Sequence, residues 1–161
     1  MGKKQSGTPA LRALDAARVP YTVHEYEHDP RAASFGREAA DALGVDPARV
    51  FKTLIATDGS RLVVGIVPVD KTLDLKALAS ALGLKRLTMA DAAAAERSSG
   101  MVVGGISPLG QRRPLPTVLD ASAAAHDTIL VSGGRRGLDV ELAPADLVRL
   151  TSGLLQAIAA G

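Results

Sequence analysis

Two apolar runs lie close together in this sequence: Val50-Phe51-Lys52-Thr53-Leu54-Ile55-Ala56 and Arg61-Leu62-Val63-Val64-Gly65-Ile66-Val67. The β-branched and apolar residues of the first run are typical of a strand that is covered on both faces. Asp58-Gly59, which separates the runs, is a strong turn signal. The sequence therefore predicts a β-hairpin over residues 50–67.

Lys52 is the unusual residue of the first run. Burying an ammonium group without a partner is costly and lowers its pKa from about 10.4. Two interpretations follow. Either Lys52 reaches water along the end of the strand, or it points into a polar cavity that receives an anion or an acyl carbonyl.

Capping signals and apolar periodicity predict the remaining elements. Helices are expected over residues 9–19, 34–43, 74–82, 90–97 and 144–159, the last with a break at Gly153. Further strands are expected over residues 21–26, 85–88, 102–103, 117–119, 128–131 and 138–142. Helices and strands are mixed, without a repeat or an internal linker, which indicates an α/β fold around a mixed, strongly curved sheet.

The length of 161 residues is that of one ordinary domain with a real core. Residues 1–7 read as a flexible N-terminal tail, which leaves residues 8–161 as the domain. No apolar run approaches the roughly 20 residues that span a bilayer, and no signal peptide follows Met1. We therefore expect a cytoplasmic protein without a membrane partner.

The charge balance limits the kinds of nucleic-acid binding. The formal net charge is only +2, although the pI is about 9.2. Basic pairs at Lys3-Lys4, Lys85-Arg86, Arg112-Arg113 and Arg135-Arg136 either converge on one face and meet phosphates or form a solvated surface. So small an excess disfavours sequence-reading DNA binding, while weak, salt-sensitive contact with a nucleic-acid backbone stays open.

Several catalytic signatures are missing. There is no cysteine, so disulfides, protein thiolates and cysteine metal sites are excluded. The run Gly105-Ile106-Ser107-Pro108-Leu109 departs from a nucleophile elbow at its last position. His24, His28 and His126 do not show the spacing of a zinc site. We therefore expect neither a metal nor another cofactor.

Two glycine pairs, Gly104-Gly105 and Gly133-Gly134, stand beside Ser107 and Ser132. Consecutive glycines let backbone N–H groups approach a ligand, where they bind a carbonyl oxygen or a phosphate. Glycine is also the default residue of tight turns, so a purely structural role is the alternative. The chain thus offers electrostatic groups and no evident nucleophile.

These motifs together resemble the YbaK-type Cys-tRNA(Pro) deacylases, over about residues 8–150. The matching stretches are Tyr26-Glu27-His28-Asp29-Pro30, Ser34-Phe35-Gly36, Val50-Phe51-Lys52-Thr53-Leu54, Leu73-Asp74-Leu75-Lys76, Val103-Gly104-Gly105-Ile106-Ser107-Pro108-Leu109-Gly110, Leu115-Pro116-Thr117, Val131-Ser132-Gly133-Gly134 and Arg136-Gly137-Leu138-Asp139. The resemblance implies a single mixed α/β domain with a barrel-like curved sheet. The family's essential lysine falls on Lys52.

The resemblance also implies a set of substrate-binding positions. Tyr26, Phe35, Thr53, Gly105, Ser132 and Asp139 match positions that line the family's pocket for the 3′-terminal adenosine and its aminoacyl group. Gly104, Ser107 and Gly133 join this set through the glycine-rich loops, and the amides of Gly104 and Gly105 are expected to hold the carbonyl or the backbone of the substrate.

The implied activity is trans-editing, the hydrolysis of cysteine wrongly attached to tRNA(Pro), and also of Cys-tRNA(Cys). The cysteinyl thiol attacks its own ester while Lys52 anchors the terminal nucleotide. The partner is the acceptor end of the tRNA, with a transient complex with prolyl-tRNA synthetase as a further expectation. Two alternatives stay open: an Ala-tRNA(Pro) deacylase of the same superfamily, and a module that binds the acceptor end without catalysis.

Overall fold

The computed structural model describes residues 7–32 and 34–161. The α-helices are α1 (Pro9–Ala17), α2 (Phe35–Leu43), α3 (Leu75–Ala81), α4 (Ala92–Ser99) and α5 (Pro144–Thr151). The β-strands are β1 (Thr22–Glu25), β2 (Phe51–Thr57), β3 (Leu62–Pro68), β4 (Thr72–Leu73), β5 (Thr88–Met89), β6 (Thr117–Asp120), β7 (Ile129–Arg135), β8 (Leu138–Leu142), β9 (Leu154–Gln156) and β10 (Ala159–Ala160). Short 3-10 helices lie at Pro47–Arg49 and Ala121–Ala125.

The predicted hairpin is confirmed and lies at the centre of the fold. β2 and β3 pair antiparallel along their whole length, from Phe51 opposite Pro68 to Thr57 opposite Leu62. They belong to a five-stranded sheet of order β5-β2-β3-β6-β9, in which β6 runs parallel to β3 and to β9. This sheet is therefore mixed, as predicted.

The other strands form two smaller sheets, of order β1-β8-β7 and β10-β4. A parallel bridge between Val50 and Leu130 connects the entry to β2 with β7. The predicted α/β class with mixed sheets is confirmed, with the strands divided among three hydrogen-bonded sheets. No helix in the described ranges is both long and apolar enough to cross a membrane.

β2 separates the two largest hydrophobic clusters. Phe51 and Ile55 belong to the cluster that packs against α1, α5 and the β1-β8-β7 sheet. Leu54 and Ala56, one residue out of phase, belong to the cluster around α3. Because side chains alternate along a strand, one strand supplies both clusters.

The predicted helix starts are confirmed for three helices. The side chains of Thr8, Ser34 and Asp74 each accept a hydrogen bond from a backbone N–H of the first turn, at 3.1, 3.3 and 3.0 Å. Each of these bonds satisfies one of the unpaired amides at the start of the helix. The first helix ends before the expected Pro20, because Arg18 adopts a left-handed conformation (φ 57°).

The predicted helix over residues 144–159 is wrong in its second half. α5 ends at Thr151, because Ser152 adopts a left-handed conformation (φ 53°). The chain continues as β9, parallel to β6, and then as β10, paired with β4. These pairings override the helical propensity of the alanine-rich end, as tertiary contacts commonly do.

Three smaller predictions also change or stay open. The expected strand over residues 85–88 is reduced to β5, and residues 102–103 are not a strand. The expected tail falls almost entirely outside the described residues, which begin at Gly7.

Asp120 holds the C-terminal segment in place. Its Oδ1 accepts hydrogen bonds from the backbone N–H groups of Ile158 (2.8 Å) and Ala159 (2.9 Å). Burial alone would raise the pKa of Asp120, but hydrogen bonds from Ser122, Ile158 and Ala159 outweigh it and hold the pKa below its usual value. The bonds keep the buried Ile158 side chain within the second cluster.

Replacing Asp120 by Ala should lower the free energy of unfolding by about 3 kcal/mol, because buried amides lose a charged acceptor. Urea denaturation at pH 7 measures the loss. The control is Asp127→Ala, at an exposed carboxylate just after the 3-10 helix Ala121–Ala125. Equal losses in the two variants would contradict this role of Asp120.

Candidate functional site

A cavity of about 450 Å³ opens between β2, the start of α2, α4 and the loop over residues 103–106. The cavity is lined by Tyr26, Ser34, Phe35, Gly36, Ala39, Val50, Phe51, Lys52, Thr53, Leu54, Ile55, Met89, Ala90, Ala92, Ala95, Val103, Gly104, Ile106, Ser132 and Asp139. Its size is within the range of small-molecule sites. We call it the central cavity.

The central cavity brings together seven of the ten residues singled out from the sequence. They are Tyr26, Phe35, Lys52, Thr53, Gly104, Ser132 and Asp139. These residues come from segments that are widely separated in the sequence. The site is therefore assembled by the fold and not by a single local motif.

The other three, Gly105, Ser107 and Gly133, are not among the lining residues. A Cβ atom on Gly105 would lie 2.7 Å from the backbone of Arg135, and one on Gly133 would lie 2.8 Å from the side chain of Leu138. Both glycines therefore permit close packing of neighbouring segments.

Ser107 is fully buried, and its Oγ accepts a hydrogen bond from the Leu109 N–H (3.2 Å). The N–H of Gly105 donates to the carbonyl oxygen of Val102 (2.8 Å). The expected use of the Gly105 amide on a substrate is therefore corrected, because that donor is already engaged. The Gly104 N–H makes no hydrogen bond with any described residue, and Gly104 is one of the lining residues.

Lys52 lines the cavity, which is the location that the second interpretation requires. Its ammonium forms no ion pair within 4.0 Å in the described part of the chain. Burial lowers the pKa of Lys52, and the attraction of the Asp70 carboxylate opposes this shift. A partly desolvated, unpaired cation in a cavity is suited to bind an anion or a polarised carbonyl oxygen.

Asp139 is the acidic member of the site. Its side chain is 5% exposed, and burial raises its pKa to about 7. Tyr26 lies nearby; burial and then the charges of Asp139 and Glu38 raise the Tyr26 pKa to about 12, so its hydroxyl stays protonated at neutral pH. The Thr53 hydroxyl oxygen is buried and lacks a hydrogen-bond partner among the described residues.

Phe35 is held at the edge of the cavity by three contacts. The Arg136 guanidinium carbon lies 4.8 Å from the ring centroid, and the His28 ring lies 5.7 Å away, centroid to centroid. Gly104 (φ 90°) packs directly on the ring, where a Cβ atom would lie 2.7 Å from Phe35 carbon atoms. Arg136 also donates from Nε to the Val103 carbonyl oxygen (2.8 Å).

Arg136 was not selected from the sequence as a site residue. The sequence shows it in one of four basic pairs and at the start of the stretch Arg136-Gly137-Leu138-Asp139, and nothing local connects it with residues 35 or 103. Two of the three histidines pair with glutamates: His24 with Glu141 (2.7 Å) and His28 with Glu38 (2.9 Å). No three metal-binding side chains within residues 7–32 and 34–161 come together as a candidate metal site.

The family model of the aminoacyl-tRNA editing domain matches residues 29–150 of the chain. The chain belongs to the aminoacyl-tRNA editing domain family. Lys52, Gly104, Asp139 and the other residues of the central cavity that lie within 29–150 are therefore part of the editing domain.

A relative from Enterococcus faecalis, EbsC, is 37% identical to this editing domain over 153 residues, which cover 94% of this chain and 92% of the relative. Its name assigns it, provisionally, as a Cys-tRNA(Pro)/Cys-tRNA(Cys) deacylase. The resemblance inferred from the motifs is thus confirmed at the level of the family.

Two solved structures share the fold of the editing domain. One is described provisionally as a trans-editing enzyme for prolyl-tRNA synthetase, with a TM-score of 0.82, 22% identity, and coverage of 100% of this chain and 99% of the other. The second, the protein APE2540, has a TM-score of 0.83 and 24% identity, covering 94% of this chain and 99% of the other.

Gly104→Ala should destabilise the editing domain more than Gly59→Ala. Both glycines have positive φ (90° and 103°), so both variants carry backbone strain. Only the Gly104 variant meets a neighbour, the Phe35 ring, since Gly59 has open space around it. We expect an extra loss of about 1–3 kcal/mol in the free energy of unfolding, measured with urea. Equal losses would show that Gly104 does not pack on Phe35 as described.

Asp139 should make the stability of the wild type fall as pH rises from about 4 to about 7. The native carboxyl stays protonated up to about pH 7, whereas the unfolded one ionises near pH 3.9, so the unfolded state is favoured over this interval. Asp139→Asn removes the titration. Its stability gain over the wild type should be about 3 kcal/mol larger at pH 8 than at pH 5. A gain that does not change with pH would contradict the buried titration.

Proposed function

We propose that the protein hydrolyses cysteine from mischarged Cys-tRNA(Pro), and also from Cys-tRNA(Cys), as a free-standing trans-editing enzyme. The observation that carries the proposal is the unpaired Lys52 ammonium lining a cavity of about 450 Å³ in an editing domain. The name of the Enterococcus faecalis relative favours cysteine as the amino acid.

The anionic end of the ligand would meet three features of the cavity. Lys52 supplies a positive charge, and the Gly104 N–H supplies a free donor. The start of α2, at Phe35 and Gly36, also lines the cavity, and the amides at a helix start favour phosphate or another anion. Together they suit the terminal phosphate or ribose oxygens of the acceptor end and the polarised ester carbonyl.

The nucleophile in this proposal belongs to the substrate. The chain contains no cysteine, and no serine among the lining residues is presented on a nucleophile elbow. The cysteinyl sulfur attacks its own carbonyl carbon, the carbon–oxygen bond to the ribose breaks, and the thiol proton passes to the departing ribose oxygen. The product is a cysteine thiolactone, which water opens to free cysteine.

In this reaction the cavity acts by positioning and electrostatics. Holding the ester so that the thiol is close to the carbonyl removes much of the entropic cost of attack. Lys52 stabilises the negative charge that develops on the carbonyl oxygen. A small pocket alone discriminates between similar side chains by only about 10- to 200-fold. The reactivity of the cysteinyl thiol adds further selectivity for cysteine.

The modest net charge of +2 favours weak binding of the tRNA body. A transient complex with prolyl-tRNA synthetase would then raise the local concentration of the mischarged product. This is the partner that we propose beyond the aminoacyl-tRNA itself.

A panel of Cys-, Ala- and Pro-tRNA(Pro) tests the substrate. We expect release of cysteine to exceed release of alanine and proline, with a thiolactone trapped during the reaction. Faster release of alanine would favour the alanine-specific alternative. No release from any substrate, with retained binding of the acceptor end, would favour the non-catalytic alternative.

Lys52→Ala should lower kcat for Cys-tRNA(Pro) by about 10²–10³-fold, because a stabilising charge is lost from the site. The control is Lys76→Ala, which removes an exposed lysine on α3. Single-turnover deacylation of both variants measures the effect. An unchanged rate in Lys52→Ala would show that this ammonium has no part in the reaction.

A further inference from the structure

Asp139 is a buried acid that the mechanism above leaves without a role. It lies on β8, lines the central cavity and is 5% exposed. Its side chain has neither a hydrogen bond nor an ion pair with another described residue. A buried carboxylate without a partner is unfavourable, so the free protein holds an unsatisfied acceptor against the space where a ligand binds.

The neighbouring charged groups on the same sheet are already occupied. Asp139 lies opposite His24 of β1 in the strand register, but His24 binds Glu141. Glu141 is also bound by Arg49 (2.9 Å) and by the Thr128 hydroxyl. These groups form hydrogen bonds and ion pairs with one another, and none of them pairs with Asp139.

The other walls of the cavity do not neutralise Asp139 either. Tyr26 is uncharged at neutral pH, and Glu38, which acts on Tyr26, is held by His28. Lys52 shares the cavity but forms no ion pair with Asp139 within 4.0 Å. The cavity therefore presents one unpaired cation and one unpaired acid to the same ligand.

We propose that Asp139 binds the α-ammonium group of the aminoacyl ligand, so that the cavity selects aminoacyl esters with a free amino group. The identity of the ligand rests on the proposed function. An aminoacylated nucleotide end carries an anionic phosphate and a cationic ammonium group, which match Lys52 and Asp139 in sign. Entry of the ammonium gives the buried carboxylate a charged partner and favours its ionised form. Esters whose amino group is blocked or missing cannot supply this charged partner. The Asp139 carboxyl therefore stays unpaired when they bind.

The test uses two amide-linked ligands that the protein cannot hydrolyse: 3′-cysteinylamino-3′-deoxyadenosine and its deaminated counterpart, the 3-mercaptopropionyl amide. They differ only in the α-amino group. Calorimetry at pH 6.5, where this group is protonated, gives both dissociation constants for the wild type and for Asp139→Asn. We expect the wild type to bind the aminated ligand at least about tenfold more tightly, because hydrogen bonds to charged groups are strong.

In Asp139→Asn this preference should fall to less than about threefold, whereas the control Asp127→Asn should keep it. Equal binding of the two ligands by the wild type, an unchanged preference in Asp139→Asn, or no binding of either ligand would overturn the inference. Because these are binding measurements, they are separate from the deacylation panel: a protein that shows the preference but releases no amino acid would refute the proposed function alone.

Discussion

The position of strand β2 between two hydrophobic clusters is the constraint on which the rest of the structure depends. Phe51 and Ile55 point into one cluster, and Leu54 and Ala56 belong to the other. The antiparallel ladder with β3 fixes the register of every residue of the strand. A shift by one residue would exchange the two sets of side chains, so the position of Lys52 is set by the packing of its neighbours.

This constraint explains why the site combines rigidity with unsatisfied polar groups. The strand carries Lys52 and Thr53 to the edge of a low-dielectric region, where neither finds a partner in the described chain. Asp139, on the β1-β8-β7 sheet, is likewise a buried polar group without a partner among the described residues. Stable folds tolerate a few such groups at functional sites, because the energy lost in the free protein is recovered when a complementary ligand binds. The helix start at Phe35 and the free Gly104 N–H extend the same pattern.

Much of the fold was predictable because its signals are local. The hairpin at Asp58-Gly59 and the capping residues Thr8, Ser34 and Asp74 depend on a few neighbouring residues, and the structure confirms them. The C-terminal strands were not predictable in this way. They depend on pairing with β6 and β4 and on the carboxylate of Asp120, which are distant in sequence.

The residues of the site likewise divide into those that local motifs predict and those that depend on contacts between distant segments. The motifs led to Lys52 and most of the cavity wall, but sequence alone gave no sign that the Gly105 amide is used within its own loop. Nor did it indicate that Arg136 stacks on Phe35 and binds Val103, since this contact joins three separate segments. The unpaired state of Asp139 likewise depends on which neighbours bind one another, and spacing along the chain does not reveal it.

The most direct measurement is the titration of the Lys52 side chain by NMR, after ¹³C-methylation of the lysines and assignment with Lys52→Arg. We expect the Lys52 signal to titrate below the usual lysine pKa of about 10.4 and to shift when 3′-cysteinylamino-3′-deoxyadenosine is added. A Lys52 signal that titrates at the usual lysine pKa and does not respond to the ligand would contradict the role proposed for Lys52.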